Sequence, residues 1–160
     1  MAITPNSDEP PEARTRHRRL NSFWTGTAIA VSVLVIVLAV DQVRVVFGQQ
    51  WLGQVIVMTN HYLYAVLALL LPLTFIFFPA TARARHDGVP WYDSLLAAAT
   101  FGACVFFFLN ATNIVDQGWE FVAPDHAVYV SYLLWALVLE AVRRAGGLAI
   151  FVIVAVISVF

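Results

Sequence analysis

This sequence predicts an all-α polytopic membrane protein with four transmembrane helices, a C-terminal apolar segment and a cytoplasmic N-terminus. Three observations carry the prediction. Charged residues make up 12% of the chain and hydrophobic residues 61%. A soluble domain carries about 25% charged residues to clothe its surface. Apolar runs long enough to cross a bilayer begin near Trp24, His61, Trp91 and His126. Finally, the nine basic residues are all arginine, and they fall in alternate gaps between the runs. Arg14, Arg16, Arg18 and Arg19 precede the first run, Arg83 and Arg85 separate the second from the third, and Arg143 and Arg144 follow the fourth. Such alternation marks the arginine-bearing loops as cytoplasmic. Arg44 is the one basic residue of opposite parity, and Asp41 stands three residues before it, placed to pair with it.

Residues 1–21 form a polar tail. Pro5, Pro10 and Pro11 with Ser7, Asp8, Glu9 and Glu12 offer too little apolar area to order themselves, so a disordered cytoplasmic tail is expected. A basic stretch followed by an apolar run also resembles a secretory leader. The run from Trp24 to Val40 is longer than the usual 7–15 residues, however, and ends in the poor cleavage sequence Val40-Asp41-Gln42. It reads as a retained anchor. About 20 helical residues cross a ~30 Å hydrocarbon core, and the first span extends from Trp24 to Val40, with room to continue to Val46.

The stretch from Phe47 to Asn60 mixes glycine, glutamine and asparagine with Trp51 and Leu52, and reads as a loop leading into the next helix. The second span runs from His61 to Phe78. Pro72 lies inside it and removes one backbone donor, which a membrane helix tolerates when neighbours satisfy the freed carbonyl. A kink is expected there, and Pro79 ends the run. After the inner loop the third span runs from Trp91 to Leu109. Pro90 suits a helix start, Asp93 is an anion in the first turn where the helix dipole favours one, and Trp91 and Tyr92 belong at headgroup depth.

The outer stretch Asn110 to Asp125 holds Asp116, Glu120 and Asp125 and no basic residue. The fourth span runs from His126 to Val142, and Glu140 stands three and four residues before Arg143 and Arg144, the favourable order for helical ion pairs. Residues 22–144 thus form a four-helix membrane bundle. Gly146-Gly147 breaks the chain. Residues 145–160 form an apolar segment, expected to be either the start of a further helix at a fragment end or an end that lies in the interface, since Leu148 to Phe160 reaches only about 20 Å.

Chemistry-bearing constellations are sparse. Cys104 lies in an apolar run and reads as a small buried hydrophobe. Ser94, Ser131 and Ser158 have no base near them in sequence. No zinc-type spacing, phosphate-cradling glycine loop or nucleophile elbow occurs, and no enzyme, resident cofactor or metal, and no nucleic-acid partner, is expected. A transport pathway wants ionisable residues or broken helices at mid-membrane, and these spans hold no ionisable residue at their centres. Ala97, Ala98, Ala99, Gly102 and Ala103 suit close helix packing. Asp116, Trp119 and Glu120 give the outer loop an acidic, aromatic surface, either for a soluble partner or for the interface. His61 and His126, near the outer ends of two spans, leave open a haem held between them. A self-assembling bundle is a further alternative.

Four segments resemble a known family. Leu71-Pro72-Leu73-Thr74-Phe75-Ile76-Phe77-Phe78-Pro79 is followed by the arginine loop and then Val89-Pro90-Trp91-Tyr92-Asp93-Ser94-Leu95-Leu96. Gln117-Gly118-Trp119-Glu120-Phe121 and Leu137-Val138-Leu139-Glu140-Ala141-Val142-Arg143-Arg144-Ala145-Gly146-Gly147 come next. In order and spacing, over residues 50–160, they resemble the N-terminal part of the permease of TRAP transporters, TAXI type. That family fuses a small four-helix domain to a larger domain of about a dozen spans.

The resemblance implies a sodium-coupled uptake system for organic acids in the bacterial inner (cytoplasmic) membrane, fed by a periplasmic substrate-binding protein. It implies that substrate and sodium bind in a large polytopic transport subunit or domain, and that the present chain is the static scaffold beside it. Pro90, Trp91, Tyr92 and Asp93 at one helix mouth, and Glu140, Arg143 and Arg144 at the other inner boundary, carry over as structural residues.

Overall fold

The computed structural model describes residues 22–45, 47–48, 59–80, 89–119 and 121–159. The N-terminal tail, the inner loop with Arg83, Arg85 and His86, and Glu120 lie outside them. Described residues fold into helices: α1 (Ser22–Val45), α2 (Thr59–Phe77), α3 (Trp91–Leu109), the short α4 (Ala111–Asp116) and α5 (Asp125–Val159). Four of them, all but α4, are long and apolar enough to cross a membrane. The chain is an all-α, multi-pass membrane protein.

Sequence and structure agree on the third helix to the residue, and on the others to within a few residues at most ends. Pro90 sits just before the first turn of α3, in extended backbone. Its carbonyl accepts from the amides of Asp93 and Ser94, so the proline positions the helix start and gives up no donor the helix needs. In α2, Pro72 is accommodated inside the helix, and Thr74 donates its hydroxyl to the Leu71 carbonyl beside it at 2.6 Å.

Helices α2 and α3 form the closest pair in the bundle. Their contact is built from small residues and rings: Ala68 on one side, Ala97, Ala103 and Cys104 on the other, all buried, with Tyr64 stacked on Phe107 at 5.4 Å. Lipid tails are as apolar as these side chains, so the driving force is close van der Waals packing, which small residues permit. α1 lies against α2, and α5 lies across both α2 and α3. The main apolar cluster, Phe75, Ile76, Ala97, Leu137 and Ala141, with Trp24 and Leu71 packed on it, unites all four long helices. It lies toward the arginine-rich end, termed inner in the sense the arginines give.

Two features differ from the sequence reading. The outer stretch contains a helix, α4, anchored by the buried side chains of Ala111 and Ile114. Its six residues are too few to show a hydrophobic period. The second feature is the break at Gly146-Gly147, which proves to be a reversal. Gly147 has φ 78° and ψ −177°, a backbone region essentially restricted to glycine. The Trp135 indole Nε1 donates to Ser158 Oγ at 3.1 Å, although the two residues are 23 apart in sequence. An unbroken helix would separate them by about 35 Å. The limb Leu148–Val159 therefore folds back antiparallel on the limb Asp125–Gly146, laying half-buried Phe151, Val154 and Ala155 on one stripe toward it.

Gly147→Ala should lower stability by about 1–3 kcal/mol, because only glycine adopts that backbone without strain. Gly102→Ala should be neutral or stabilising by up to about 1 kcal/mol, since an added Cβ there meets nothing within 4 Å. Denaturant unfolding in mild detergent compares the two. Equal effects would show that the chain does not turn at Gly147.

Candidate functional site: an ion-pair knot at the inner boundary

Arg144 is the centre of the site. Its side chain is 3% exposed, and Nη1 donates to Asp93 Oδ1 at 2.7 Å, across 51 residues of sequence. Nε donates to Glu140 Oε1 at 2.8 Å, and Nη1 also reaches the Phe78 carbonyl at 3.5 Å. The guanidinium carbon lies 5.0 Å from the centroid of Phe75, where the ring face attracts a cation. One side chain thus joins the C-terminal end of α2, the first turn of α3 and the first limb of α5.

Glu140 ties in the neighbouring arginine. Arg143 donates Nε to Glu140 Oε2 at 2.7 Å and Nη2 to Oε1 at 2.6 Å. This fork-on-carboxylate geometry is the strongest form of the pair. The two carboxylates and two guanidiniums balance in charge. Such balance is what an apolar setting demands, because an uncompensated buried charge costs several kcal/mol. Among the described residues each charge of the knot has a partner, and the pairs fix the geometry of three helices. Asp93 is wholly buried, near the N-terminal dipole of α3, which adds to its stabilisation as an anion.

The sequence-derived positions fare differently. Glu140 with Arg143 and Arg144 forms the expected helical pairs. Asp93 and Arg144 are brought together, a link that local spacing does not reveal. A signal was present: span parity puts the start of α3 and the end of the fourth span at the same inner boundary, so two opposite charges there face one another. Trp91 and Tyr92 stand edge to face at 6.3 Å, with Trp91 strongly exposed, as suits headgroup depth. Phe75 and the Phe78 carbonyl were not singled out by sequence, since nothing in an apolar run distinguishes the ring that will underlie a cation.

At the outer end, Asp116 closes α4 and Trp119 follows it. Asn110 donates to the Phe106 carbonyl at 2.9 Å, and Asn113 donates to Asn110 Oδ1 at 3.1 Å. Trp119 Nε1 donates to Gln117 Oε1 at 3.0 Å, and its ring stands edge-on to His126. This polar ladder ties down the outer connection. Buried His61 rests edge-on against Phe108 at 5.3 Å, and His126 rests edge-on against Phe106 at 5.9 Å. Phe106 and Phe108 are two residues apart on a helix, about 200° around its axis. The two imidazoles thus rest on different rings of α3. Among the described residues no group of three or more His, Cys, Asp or Glu side chains converges on a metal position.

Comparison of the chain with protein-family models, with curated proteins and with solved structures finds no match.

Asp93→Asn or Arg144→Gln should each destabilise the bundle by about 3–5 kcal/mol, because each strands a buried charge. The double variant Asp93→Leu/Arg144→Met should cost less than either. Arg143→Gln should cost no more than about 1 kcal/mol, since that side chain is 37% exposed. Unfolding in detergent ranks the four, and a double variant worse than both singles would refute the charge-balance account.

Proposed function

We propose that this chain is a small, non-catalytic scaffold subunit or domain of a sodium-coupled tripartite uptake transporter for organic acids. It sits in a bacterial inner membrane and braces a large polytopic transport subunit. Substrate and sodium bind in that partner, and a periplasmic binding protein delivers the substrate.

The observation that carries the reading is where the family-like segments meet. Phe75 and Phe78 at the end of the second span, Asp93 after Pro90-Trp91-Tyr92, and Glu140 with Arg143 and Arg144 come from three separated stretches of the resemblance. They converge on one ion-pair knot. Segments that build a clamp are what a static brace needs. The distribution of buried polar residues gives further support. Asp41, His61, Asp93 and Arg144 lie near helix ends, and the mid-helix Thr100 returns its hydroxyl to the Leu96 carbonyl. The centre is packed with Ala68, Ala97 and Ala103, the interior of a support and not of a conduit.

The periplasmic protein has a candidate landing place in the outer connection, where Asp116 and Trp119 are held by the Asn110–Gln117 ladder. Mild-detergent purification from the native membrane, with mass identification of what accompanies the chain, tests the reading directly. A large polytopic transport protein is the expected companion, or the expected remainder of a fused product. Recovery of this chain alone overturns the proposal. Glu140→Ala should reduce recovery of the assembled complex and leave its affinity for substrate unchanged. A complex that assembles normally but binds substrate less well would place Glu140 in the transport chemistry and sink the scaffold assignment.

A further inference from the structure

The hairpin of α5 carries polar and aromatic groups where a lipid-facing surface ordinarily has none. Trp135 stands ten residues from Asp125 and nine from Arg144, about 15 Å and 14 Å along the helix, near the middle of a ~30 Å core. Tryptophan is ordinarily found at headgroup depth. Here its indole donates to Ser158 on the returning limb, whose hydroxyl in turn donates to the Ala155 carbonyl at 3.0 Å. Ser158 Oγ keeps one acceptor position. Trp135 is 43% exposed, and Tyr132, one turn toward the outer end, is 66% exposed. The outward face of α1 differs: Ile29, Val33, Ile36 and Val40 are exposed with no aromatic ring among them, and the exposed Ser32 beside them returns its hydroxyl to the Ala28 carbonyl.

We propose that the seam between the two limbs, marked by Tyr132, Trp135 and Ser158, docks one transmembrane helix of a larger membrane protein. That helix presents a hydroxyl or amide side chain near mid-bilayer depth. The proposal rests on the scaffold reading and names the surface it uses. Acyl chains offer no hydrogen bond to a tyrosine hydroxyl or to the open acceptor of Ser158, and polar groups facing hydrocarbon are costly. A neighbouring helix with one small polar side chain answers both, and such side chains hold membrane helices together. Exposed tryptophan and tyrosine are also the residues that concentrate binding energy at interface centres. The Trp135–Ser158 bond holds the two limbs in register, so the groove between them is formed before the partner arrives.

The test is site-directed photocrosslinking in native membranes, with p-benzoylphenylalanine placed at Tyr132 and, as control, at Val33. The expected result is an adduct at position 132 with the larger polytopic protein, identified by peptide mass, and lipid adducts alone at position 33. Tyr132→Phe and Ser158→Ala should each lower recovery of that partner about three- to tenfold, at an unchanged membrane level of this chain. Adducts at position 132 with lipid alone, or with a second copy of this chain, overturn the proposal. If affinity purification recovers the larger partner while position 132 stays uncoupled from it, the surface is wrong and the scaffold reading survives. If no partner is recovered at all, both fall.

Discussion

Everything at the inner end of this bundle hangs on one guanidinium in an apolar place. Arg144 meets Asp93 at 2.7 Å and Glu140 at 2.8 Å, and the cost of removing these charges from water is recovered only while all remain together. Apolar contacts between membrane helices are weakly selective, because lipid competes for them on nearly equal terms. An ion pair with fixed partners is selective. It sets the rotation of α3 and of the first limb of α5, and it holds both to the end of α2.

The apolar cluster around Phe75 and Leu137 builds outward from that point. Phe75 underlies the guanidinium and is itself completely buried, so cation and core share a residue. The closeness of α2 and α3 follows from the small side chains between them. The hairpin turn at Gly147 lies three residues beyond Arg144, which places the reversal next to the fixed point. The returning limb leaves that anchor and is held along its length by a narrow apolar stripe and by the Trp135–Ser158 bond. The outer end is organised differently, by amide side chains and rings around α4, where water is near and charge pairing is not required.

Much of this was legible in the residues. The membrane class follows from 12% charge, and the spans follow from apolar length, with α3 bounded correctly because Pro90 and Asn110 are strong punctuation. Glu140 with Arg143 and Arg144 was legible because helical spacing alone makes those pairs. α4 was not, because six residues carry too little periodicity. Gly146-Gly147 was read as a break, but glycine announces only freedom. Whether the chain ends, bends or reverses depends on which surfaces are offered to the next segment.

The sequence by itself determined the number of long apolar helices and their approximate ends, because hydrophobic length acts locally and answers to the bilayer. The tertiary structure alone decided that Asp93 and Arg144 are one ion pair, that Phe75 lies beneath it, that His61 and His126 rest on different rings of α3, and that Trp135 meets Ser158. Those facts depend on the rotation of each helix about its axis. No local pattern specifies that rotation, and only packing of all the helices together fixes it.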